Sequence, residues 1–370
     1  METTDPKRLA ARALHGSKGR QQPGDLVTPP IVPASVYFLP GDPTAPHQYG
    51  RWSNPTWSAL EDALAIIEDA ETVAFPSGMA AIASIFYALL RSGDRILLPS
   101  DGYYTTRALA EKFLVPMGVV ADTCSTVEYA TKDLNGYKLV WVETPSNPGL
   151  DLCDLRCVAA RARSAGAIVV ADNTTPSAFG QRPFDLGADM LISSDTKSVS
   201  GHSDNLLGHV SSRRGDLLGS VREWRKLSGA IPGAFETWIG HRGLQSLEVR
   251  FDRMCSTAEI VAQRLADHPA VVEVRYPGLP THPQHTLAKS QMLRFGFLLG
   301  VTFKSKDAAE RFIGECSVIK PVTSFGGVRT SAERRARWGD NVAAGFVRLS
   351  IGVEVSDVLW SEMEKTLNAL

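Results

Sequence analysis

Residues 190–208 read MLISSDTKSVSGHSDNLLG, and this stretch decides the predicted fold. Its apolar start, residues 190–192, is typical of the end of a buried strand, and small polar residues follow it around Lys197. The hydroxyl groups of Ser194 and Thr196 can hydrogen-bond a phosphate. The pattern therefore predicts a strand that ends at an amine held among anion-binding groups.

A second stretch, residues 167–174, reads AIVVADNT and predicts a buried strand that ends at Asp172. Ligands of open α/β sheets bind outside the carboxyl ends of the strands, so we expect Asp172 and Lys197 at one crevice. A carboxylate that pairs with a pyridine nitrogen and a lysine that forms a Schiff base are what pyridoxal 5'-phosphate (PLP) requires of a protein. Alone, Lys197 could be a solvated loop lysine, and it is the second stretch that favours the cofactor site.

Together the two stretches resemble the cofactor signature of the Cys/Met-metabolism PLP-dependent enzymes, the family of cystathionine γ-synthase, γ-lyase and β-lyase. The resemblance implies an α/β protein of PLP-dependent transferase fold type I, which is aspartate aminotransferase-like. Such a fold has a mainly parallel central sheet and a smaller α+β C-terminal domain. The resemblance also implies PLP as cofactor, a sulfur-containing amino acid as substrate, and a homodimer or homotetramer whose subunits share active sites.

Apolar segments alternate between strand and helix character, which predicts a largely parallel sheet with helices on both faces. Predicted strands cover residues 72–75, 95–98, 138–142, 167–172, 190–192, 297–303 and 346–354, and predicted helices cover residues 79–90, 155–165 and 306–313. The expected domains are an extended arm (1–50) that contacts a neighbouring subunit, a PLP-binding domain (51–235), and a linking helix with the C-terminal domain (236–370). The linking helix is predicted as one long helix because no proline occurs between Pro232 and Pro269.

The composition excludes several classes of function. The 370 residues are 44% hydrophobic and 21% charged with a net charge of -1, so neither nucleic acid nor an anionic membrane is an expected partner. No apolar run is long enough to span a bilayer and the start lacks a signal peptide, which predicts a cytoplasmic protein. Five cysteines without framework spacing fit a reducing compartment. No metal site is expected, because Cys153 and Cys157 have no second ligand pair and His282 and His285 lie in a Pro-rich loop.

Two stretches are candidates for binding the cofactor phosphate. Residues 49–56 read YGRWSNPT, and the family resemblance implies that Tyr49 and Arg51 reach the phosphate in the partner subunit. Arginine suits this role because its guanidinium can donate two parallel hydrogen bonds. Gly78 and Met79 open a buried helix whose free backbone N–H groups can bind an anion. A plain turn between strand and helix is the alternative for this second stretch.

Two further residues are assigned from turns that follow predicted strands. The resemblance implies that Tyr103 stacks over the pyridine ring, with Tyr104 as the alternative because the family's glycines are replaced here. Asn147 lies in the sequence ETPSNP, similar to the family's E-x-P-x-N-P. Its amide can donate to the phenolic oxygen of PLP or to a substrate carboxylate.

The C-terminal part contains the candidate substrate-binding residues. Arg348 lies in the apolar sequence FVRLSIGVE and needs an anion if it is buried. The resemblance implies that this anion is the α-carboxylate of the substrate, and an internal salt bridge is the alternative. Ser324, in TSFGG, resembles a family serine that positions the lysine and the carboxylate.

The resemblance favours cystathionine γ-lyase activity, in which Lys197 first forms the Schiff base and then acts as general base. The alternatives are γ-replacement on an O-acylhomoserine, cystathionine β-lysis, methionine γ-lysis, or a PLP-binding protein without turnover. Gln48 and Arg329 stand where γ-eliminating relatives carry acids, which favours a substrate with a distal acid. A nucleotide-binding protein is disfavoured, because no G-x-G-x-x-G or P-loop follows a predicted strand.

Overall fold

Two β-sheets carry the fold in the computed structural model, which describes residues 5–15 and 23–370. The strands of the described residues are, in chain order, β1 (Glu71–Phe75), β2 (Arg95–Pro99), β3 (Val120–Cys124), β4 (Leu139–Glu143), β5 (Ile168–Asp172), β6 (Met190–Ser193), β7 (Gly208–Ser212), β8 (Val271–Arg275), β9 (Leu298–Phe303), β10 (Lys320–Pro321), β11 (Ser331–Arg334) and β12 (Phe346–Ser350).

The helices surround and connect these sheets. They are α1 (Pro6–His15), α2 (Pro55–Glu68), α3 (Gly78–Leu89), α4 (Tyr104–Leu109), α5 (Leu155–Ser164), α6 (Ser177–Gly180), α7 (Gly215–Ser228), α8 (Ala234–Leu244), α9 (Leu247–Ala266), α10 (His285–Gln291), α11 (Lys306–Glu315) and α12 (Ser356–Asn368). No helix of the described ranges is both long enough and apolar enough to cross a membrane.

The larger sheet has seven strands in the order β1-β7-β6-β5-β4-β2-β3. Strands β2 to β6 run parallel to one another, and β7 is antiparallel to both β1 and β6. Along β4, Leu139 and Trp141 pack into a cluster with α3 and α7, whereas Val140 and Val142 pack into a second cluster with α5. Both faces are therefore covered, as a mainly parallel sheet requires, and the predicted fold class is confirmed.

The register of this sheet brings two acids together. Glu143 at the end of β4 is paired with Asp172 at the end of β5, and Asp172 is paired with Ile192 on β6. The chain leaves β6 toward Lys197, so the three strands end at the same edge of the sheet. The smaller sheet has the order β10-β11-β12-β9-β8, and it places β12 with Arg348 between β11 and β9.

The prediction of one long linking helix is wrong, because the chain forms α8 and α9 with a break at Gln245 and Ser246. The buried guanidinium of Arg250 explains the break. It donates to the carbonyl of Gly243, 2.7 Å away, and to the carbonyls of Ser198 and Val199 at 2.7 and 3.1 Å. The Gly243 carbonyl is thus bound by a side chain at the break, and Arg250 also ties α9 to the segment that follows Lys197.

The arm is not extended throughout, which corrects the prediction for residues 1–50. Residues 6–15 form α1, and the main chain N–H of Leu9 donates to the carbonyl of Asp5. Leu9 is buried, and Ala10 and Ala13 pack against the core, so one apolar face seats the helix. The stretch from residue 23 to residue 54 has no helix or strand, and it leaves Val27 and Phe38 about nine-tenths exposed, at 90% and 91%.

Candidate active site

A cavity of about 430 Å³ lies at the carboxyl ends of β4, β5 and β6. Ten of the predicted site residues line it, from both the large sheet and the C-terminal segments: Gly78, Met79, Tyr103, Asn147, Asp172, Ser194, Thr196, Lys197, Ser324 and Arg348. The sequence prediction that Asp172 and Lys197 share one crevice therefore agrees with the placement of these side chains.

The amine of Lys197 lies at the centre of the polar contacts in this cavity. Its Nζ donates to Oγ of Ser324 at 2.7 Å and lies 5.1 Å above the ring of Phe325. Burial, and next the positive charge of Arg348, lower the pKa of Lys197 from 10.5 to about 8, although Glu333 and Asp172 work in the opposite direction. The lysine is therefore close to losing its proton at physiological pH, as a Schiff-base amine must.

The carboxylate of Asp172 is held by the turn that follows β5. Its Oδ1 accepts a hydrogen bond from the N–H of Thr174 at 3.1 Å, and Oγ1 of Thr174 accepts one from the N–H of Ser194 at 2.9 Å. These bonds tie the ends of β5 and β6 together. Burial raises the pKa of Asp172, so the pocket favours a cationic partner for this acid.

The start of α3 forms an anion-binding wall. Ser77 caps the helix by accepting from the N–H of Ala80 at 3.1 Å, whereas the N–H groups of Gly78 and Met79 have no acceptor among the described residues. A Cβ at Gly78 would lie 2.7 Å from Cβ of Ser194, and a Cβ at Gly208 would lie 2.7 Å from Cα of Gly78. Glycine is thus required at both positions, because the helix start touches the neighbouring strands.

The sequence analysis missed the contribution of Glu143 to this wall. Its Oε2 accepts from the N–H of Tyr103 at 2.7 Å, which fixes the turn that carries the aromatic side chains of Tyr103 and Tyr104. Burial, and next the charge of Asp172, raise the pKa of Glu143 well above its ordinary value. Both tyrosines line the cavity, with ring centroids 5.6 Å apart, so the geometry leaves either of them available to a bound ring.

Arg348 is a buried residue of the cavity wall with three partners. Nη1 donates to Oδ1 of Asn147 at 2.7 Å, and Nη2 donates to the carbonyl of Ser324 at 3.2 Å and to Oε1 of Glu333. The internal salt bridge considered for Arg348 therefore exists, with Glu333 as its carboxylate. Arg348 still lines the cavity and remains accessible to a ligand. Ser324 has a φ of 77°, a left-handed conformation in which its Oγ accepts from Lys197 and its carbonyl accepts from Arg348.

Two cavity residues, Arg335 and Trp338, were not anticipated from the sequence. Both lie on a short 3₁₀ helix, Arg335–Trp338, that follows β11. The sequence ERRARW looks like a solvated charged turn, and no helical or strand periodicity marks it. No local signal could have found it, because this segment reaches the cavity through the pairing of β11 with β12, which sets Glu333 opposite Arg348.

Tyr49, Arg51, Gln48 and Arg329 do not line this cavity. Arg51 donates to the carbonyl of Lys226, and its guanidinium lies 5.4 Å from the ring centroid of Tyr49. The side chain of Gln48 donates to the carbonyls of Pro43 and Ala45, at 2.9 and 3.2 Å. Arg329 is exposed, so its placement gives no support to the expected distal-acid contact.

Comparison with known proteins agrees with this geometry. A profile described as "Cys/Met metabolism PLP-dependent enzyme" matches residues 10–368. The chain belongs to this family. It is therefore an enzyme, PLP is its cofactor, and the alternative of a protein without turnover is not retained.

Individual members of the Cys/Met metabolism family differ in their named activities. A Streptomyces coelicolor protein named "Putative cystathionine gamma-lyase" is 46% identical over 92% of this chain and 88% of its own length. The L-methionine gamma-lyase of Pseudomonas deceptionensis is 35% identical, with 98% of each chain covered. The crystal structure of cystathionine gamma-synthase from Xanthomonas oryzae pv. oryzae in complex with cystathionine has a TM-score of 0.92 at 31% identity and 97% coverage of both chains.

Proposed function

We propose that this enzyme is a cystathionine γ-lyase, which converts L-cystathionine and water into cysteine, 2-oxobutyrate and ammonia. The observation that carries the proposal is a single cavity that Lys197, Asp172 and Arg348 line together. The name of the Streptomyces coelicolor relative supports the γ-lyase among the family's activities.

The residues of the cavity fit PLP. Asp172 would pair with the pyridine nitrogen, Lys197 would bind the aldehyde carbon, and the free N–H groups of Gly78 and Met79 would bind the phosphate. The remaining polar and aromatic contacts would come from Ser194, Thr196, Tyr103 and Asn147. When bound, PLP supplies an electron sink for the charge left at the α-carbon.

The chain's own groups would handle the substrate and its protons. Arg348 and Ser324 would hold the α-carboxylate, which fixes the α-carbon beside Lys197. The amine of Lys197, with its pKa lowered to about 8, is a suitable base for the α-proton. Asp172 would keep the opposite end of the site negative, and its burial makes that interaction strong.

Product identification tests the proposal. The purified enzyme should release 2-oxobutyrate from L-cystathionine, and Lys197→Ala should abolish release while Lys289→Ala, at an exposed position, should leave it unchanged. Borohydride should bleach the yellow colour of the wild type but should find no Schiff base to reduce in Lys197→Ala. Pyruvate as the only oxo acid would instead identify a β-lyase.

Two relatives among the comparisons make further substrates necessary. Cystathionine gamma-synthase of Mycobacterium tuberculosis is 35% identical over 97% of this chain, so O-acylhomoserine with cysteine is one assay. L-methionine is the second, because the Pseudomonas deceptionensis relative is named for it. A specificity constant for either substrate that exceeds the one for cystathionine about tenfold would overturn the γ-lyase proposal within the family.

A further inference from the structure

Glu333 is the centre of a buried cluster of positive side chains beside the cavity. Its side chain is 1% exposed. Oε1 accepts from Arg348 and from Nη1 of Arg335 at 2.9 Å, and Oε2 accepts from the indole N–H of Trp338 at 2.9 Å and from Arg337 at 3.4 Å. One carboxylate therefore holds the guanidiniums of Arg335 and Arg348 next to each other.

The contacts of Arg335 fix its side chain but leave one of its guanidinium nitrogens without a partner among the described residues. Nε donates to Asp340 at 2.6 Å and Nη1 donates to Glu333, whereas Nη2 has no partner among the described residues. Arg335 is also one of the residues that line the cavity. It thus offers the N–H groups of Nη2 in a site where its own orientation is fixed by two acids.

The charges of the cluster indicate what it accepts. Two buried guanidiniums, those of Arg335 and Arg348, face the carboxylates of Glu333 and Asp340, and Arg337, which is 38% exposed, adds a third positive charge beside Glu333. Glu333 is the one carboxylate that pairs with Arg348 among the described residues, and both Arg335 and Arg348 line the cavity, so a single further carboxylate can bind there. Because Arg335 and Arg348 donate to the same oxygen, an anion at Arg348 lies within reach of Arg335 as well.

We propose that Arg335 is a second binding residue for the α-carboxylate of the substrate, and that Glu333 is the positioning residue that holds Arg335 and Arg348 side by side. The inference rests on the proposed function in taking an amino acid as the ligand. It assigns to Arg335 a contact with the part that all amino-acid substrates share, and not with their distal groups. Substrates with and without a distal acid should therefore depend on Arg335 equally.

Glycine is a suitable probe, because it has an α-carboxylate and no side chain. Its dissociation constant can be measured on the PLP-loaded enzyme from the change in the absorbance of the cofactor. We expect Arg335→Gln to weaken glycine binding about 10-fold or more, which is typical of a lost charge-assisted hydrogen bond. Arg337→Gln is the matched control: Arg337 also donates to Glu333 but is 38% exposed and does not line the cavity, so a change below about 3-fold is expected.

Arg335→Lys keeps the charge but loses the forked donor group, and it should weaken binding by a smaller factor than Arg335→Gln. If Arg335→Gln does not fold, Arg335→Lys replaces it in the test. Wild-type glycine affinity in Arg335→Lys would then overturn the proposal. With L-methionine and L-cystathionine, Arg335→Gln should raise KM by similar factors and change kcat less.

Two results would contradict the inference. Normal glycine binding by Arg335→Gln with a raised KM only for cystathionine would place Arg335 at the distal group. Equal losses in Arg335→Gln and Arg337→Gln would show a general electrostatic effect. If the wild type binds glycine with the expected dependence on Arg335 but releases no 2-oxobutyrate, the proposed activity fails while the carboxylate site stands.

Discussion

The amine of Lys197 is surrounded by groups that act on its charge in opposite directions. Arg348 and burial disfavour the protonated form, and Glu333 and Asp172 favour it. Since Glu333 also holds Arg348, one carboxylate influences both the proposed Schiff-base lysine and the proposed carboxylate-binding arginine. Substitutions at Glu333 are therefore expected to change the pH dependence and the substrate affinity together.

The lowered pKa of Lys197 predicts how the apoenzyme takes up its cofactor. Only the neutral amine attacks the aldehyde, so the rate of PLP uptake should rise with pH around a midpoint near the pKa of about 8. The measurement is the return of the yellow absorbance after PLP is added to apoenzyme between pH 6 and pH 10. A rate that still rises steeply above about pH 9, as expected for an ordinary lysine, would contradict this environment.

The lowered pKa of Lys197 also makes the stability of the folded enzyme depend on pH. The unfolded chain holds the lysine proton up to a pKa of 10.5, whereas the folded chain releases it near 8. Between these values the unfolded state binds more protons, so Lys197 makes the folded state relatively more stable as the pH rises.

For individual residues, the sequence predicted the ends of strands well and predicted side-chain partners poorly. Asp172 and Lys197 were found because each follows an apolar run at a strand end. The partners of Arg348 come from positions as far apart as Asn147 and Glu333. They meet only through the pairing of β11 with β12 and the contact of Arg348 with the turn that follows β4. Local patterns carry no information on such distant contacts.

The buried imidazole of His209 joins three parts of the chain: β7, the end of α2, and the segment between β6 and Lys197. Nδ1 of His209 lies 2.8 Å from Asp195, two residues before Lys197, and its Nε2 lies 3.6 Å from Glu68 at the end of α2. Burial works against the charged ring, but Asp195 and Glu68 outweigh it and raise the pKa of His209 to about 10. The cluster therefore connects the segment that carries the lysine to two other elements.

This cluster predicts a pH-dependent stability that one substitution should remove. His209 binds its proton more tightly in the folded state, so its contribution is complete below the ordinary pKa of 6.5 and is lost as the pH rises through about 10. We expect Asp195→Asn to destabilise the enzyme by roughly 3 kcal/mol at pH 7, because a buried pair loses one partner. Its unfolding midpoint should then fall less than that of the wild type between pH 7 and pH 10.

Thermal unfolding at a fixed protein concentration provides the measurement. Asp216→Asn is the control, since Asp216 is 65% exposed and pairs with Arg214 on the surface. Equal pH dependence in Asp195→Asn and in the wild type would refute the assigned role of the imidazole.

Helices show which elements a single sequence can and cannot define. Continuous apolar spacing without proline predicted one helix between Pro232 and Pro269, yet Arg250 binds the Gly243 carbonyl and divides it. In the arm, Leu9, Ala10 and Ala13 are spaced so that one face of α1 packs against the core. The many prolines downstream led to the prediction of an extended segment instead. In both cases a tertiary contact decided the outcome.

The proposed assembly concerns two residues that are predicted to bind the cofactor phosphate but do not line the cavity of their own chain. Tyr49 and Arg51 lie outside the cavity of their own chain, and the arm around them exposes large apolar side chains such as Val36 and Phe38, at 72% and 91%. An exposed apolar arm of this kind fits a surface of a second copy of the chain. The expectation that two protomers share each active site is therefore kept as a proposal.

Complementation between two inactive variants tests the shared site. Arg51→Ala should weaken PLP retention in the neighbouring site, and Lys197→Ala should inactivate its own site. If the sites are shared, dimers with one subunit of each kind regain one intact site, so random re-association of equal amounts should restore about a quarter of wild-type activity. In the control mixture, Arg91→Ala, a substitution at an exposed position, replaces Arg51→Ala. Arg91→Ala should be active before mixing, so it needs no complementation. No recovery in the mixture, or unchanged PLP retention in Arg51→Ala, would refute the shared site.

Most of the larger sheet was accessible from the sequence because five of its strands carry their own signal. Apolar runs that end in polar residues mark β1, β2, β4, β5 and β6, and their alternation with helices implies the parallel sheet. Strands β3 and β7 of the larger sheet and strands β8, β10 and β11 of the smaller sheet were not predicted. Three of the five residues of β7 are His209, Ser211 and Ser212, which are buried only because the sheet and α2 supply partners for them.

The contact between Gly78 and Gly208 limits how this enzyme can be redesigned. A library that seeks new substrates can randomise Trp338 and Tyr104, whose side chains are about half exposed, at 55% and 51%. Any library that includes either glycine will be dominated by inactive clones, since even an added methyl group would meet backbone or a rigid neighbour at 2.7 Å. Directed evolution of the substrate range is therefore best aimed at the aromatic rim, with the floor of the cavity left unchanged.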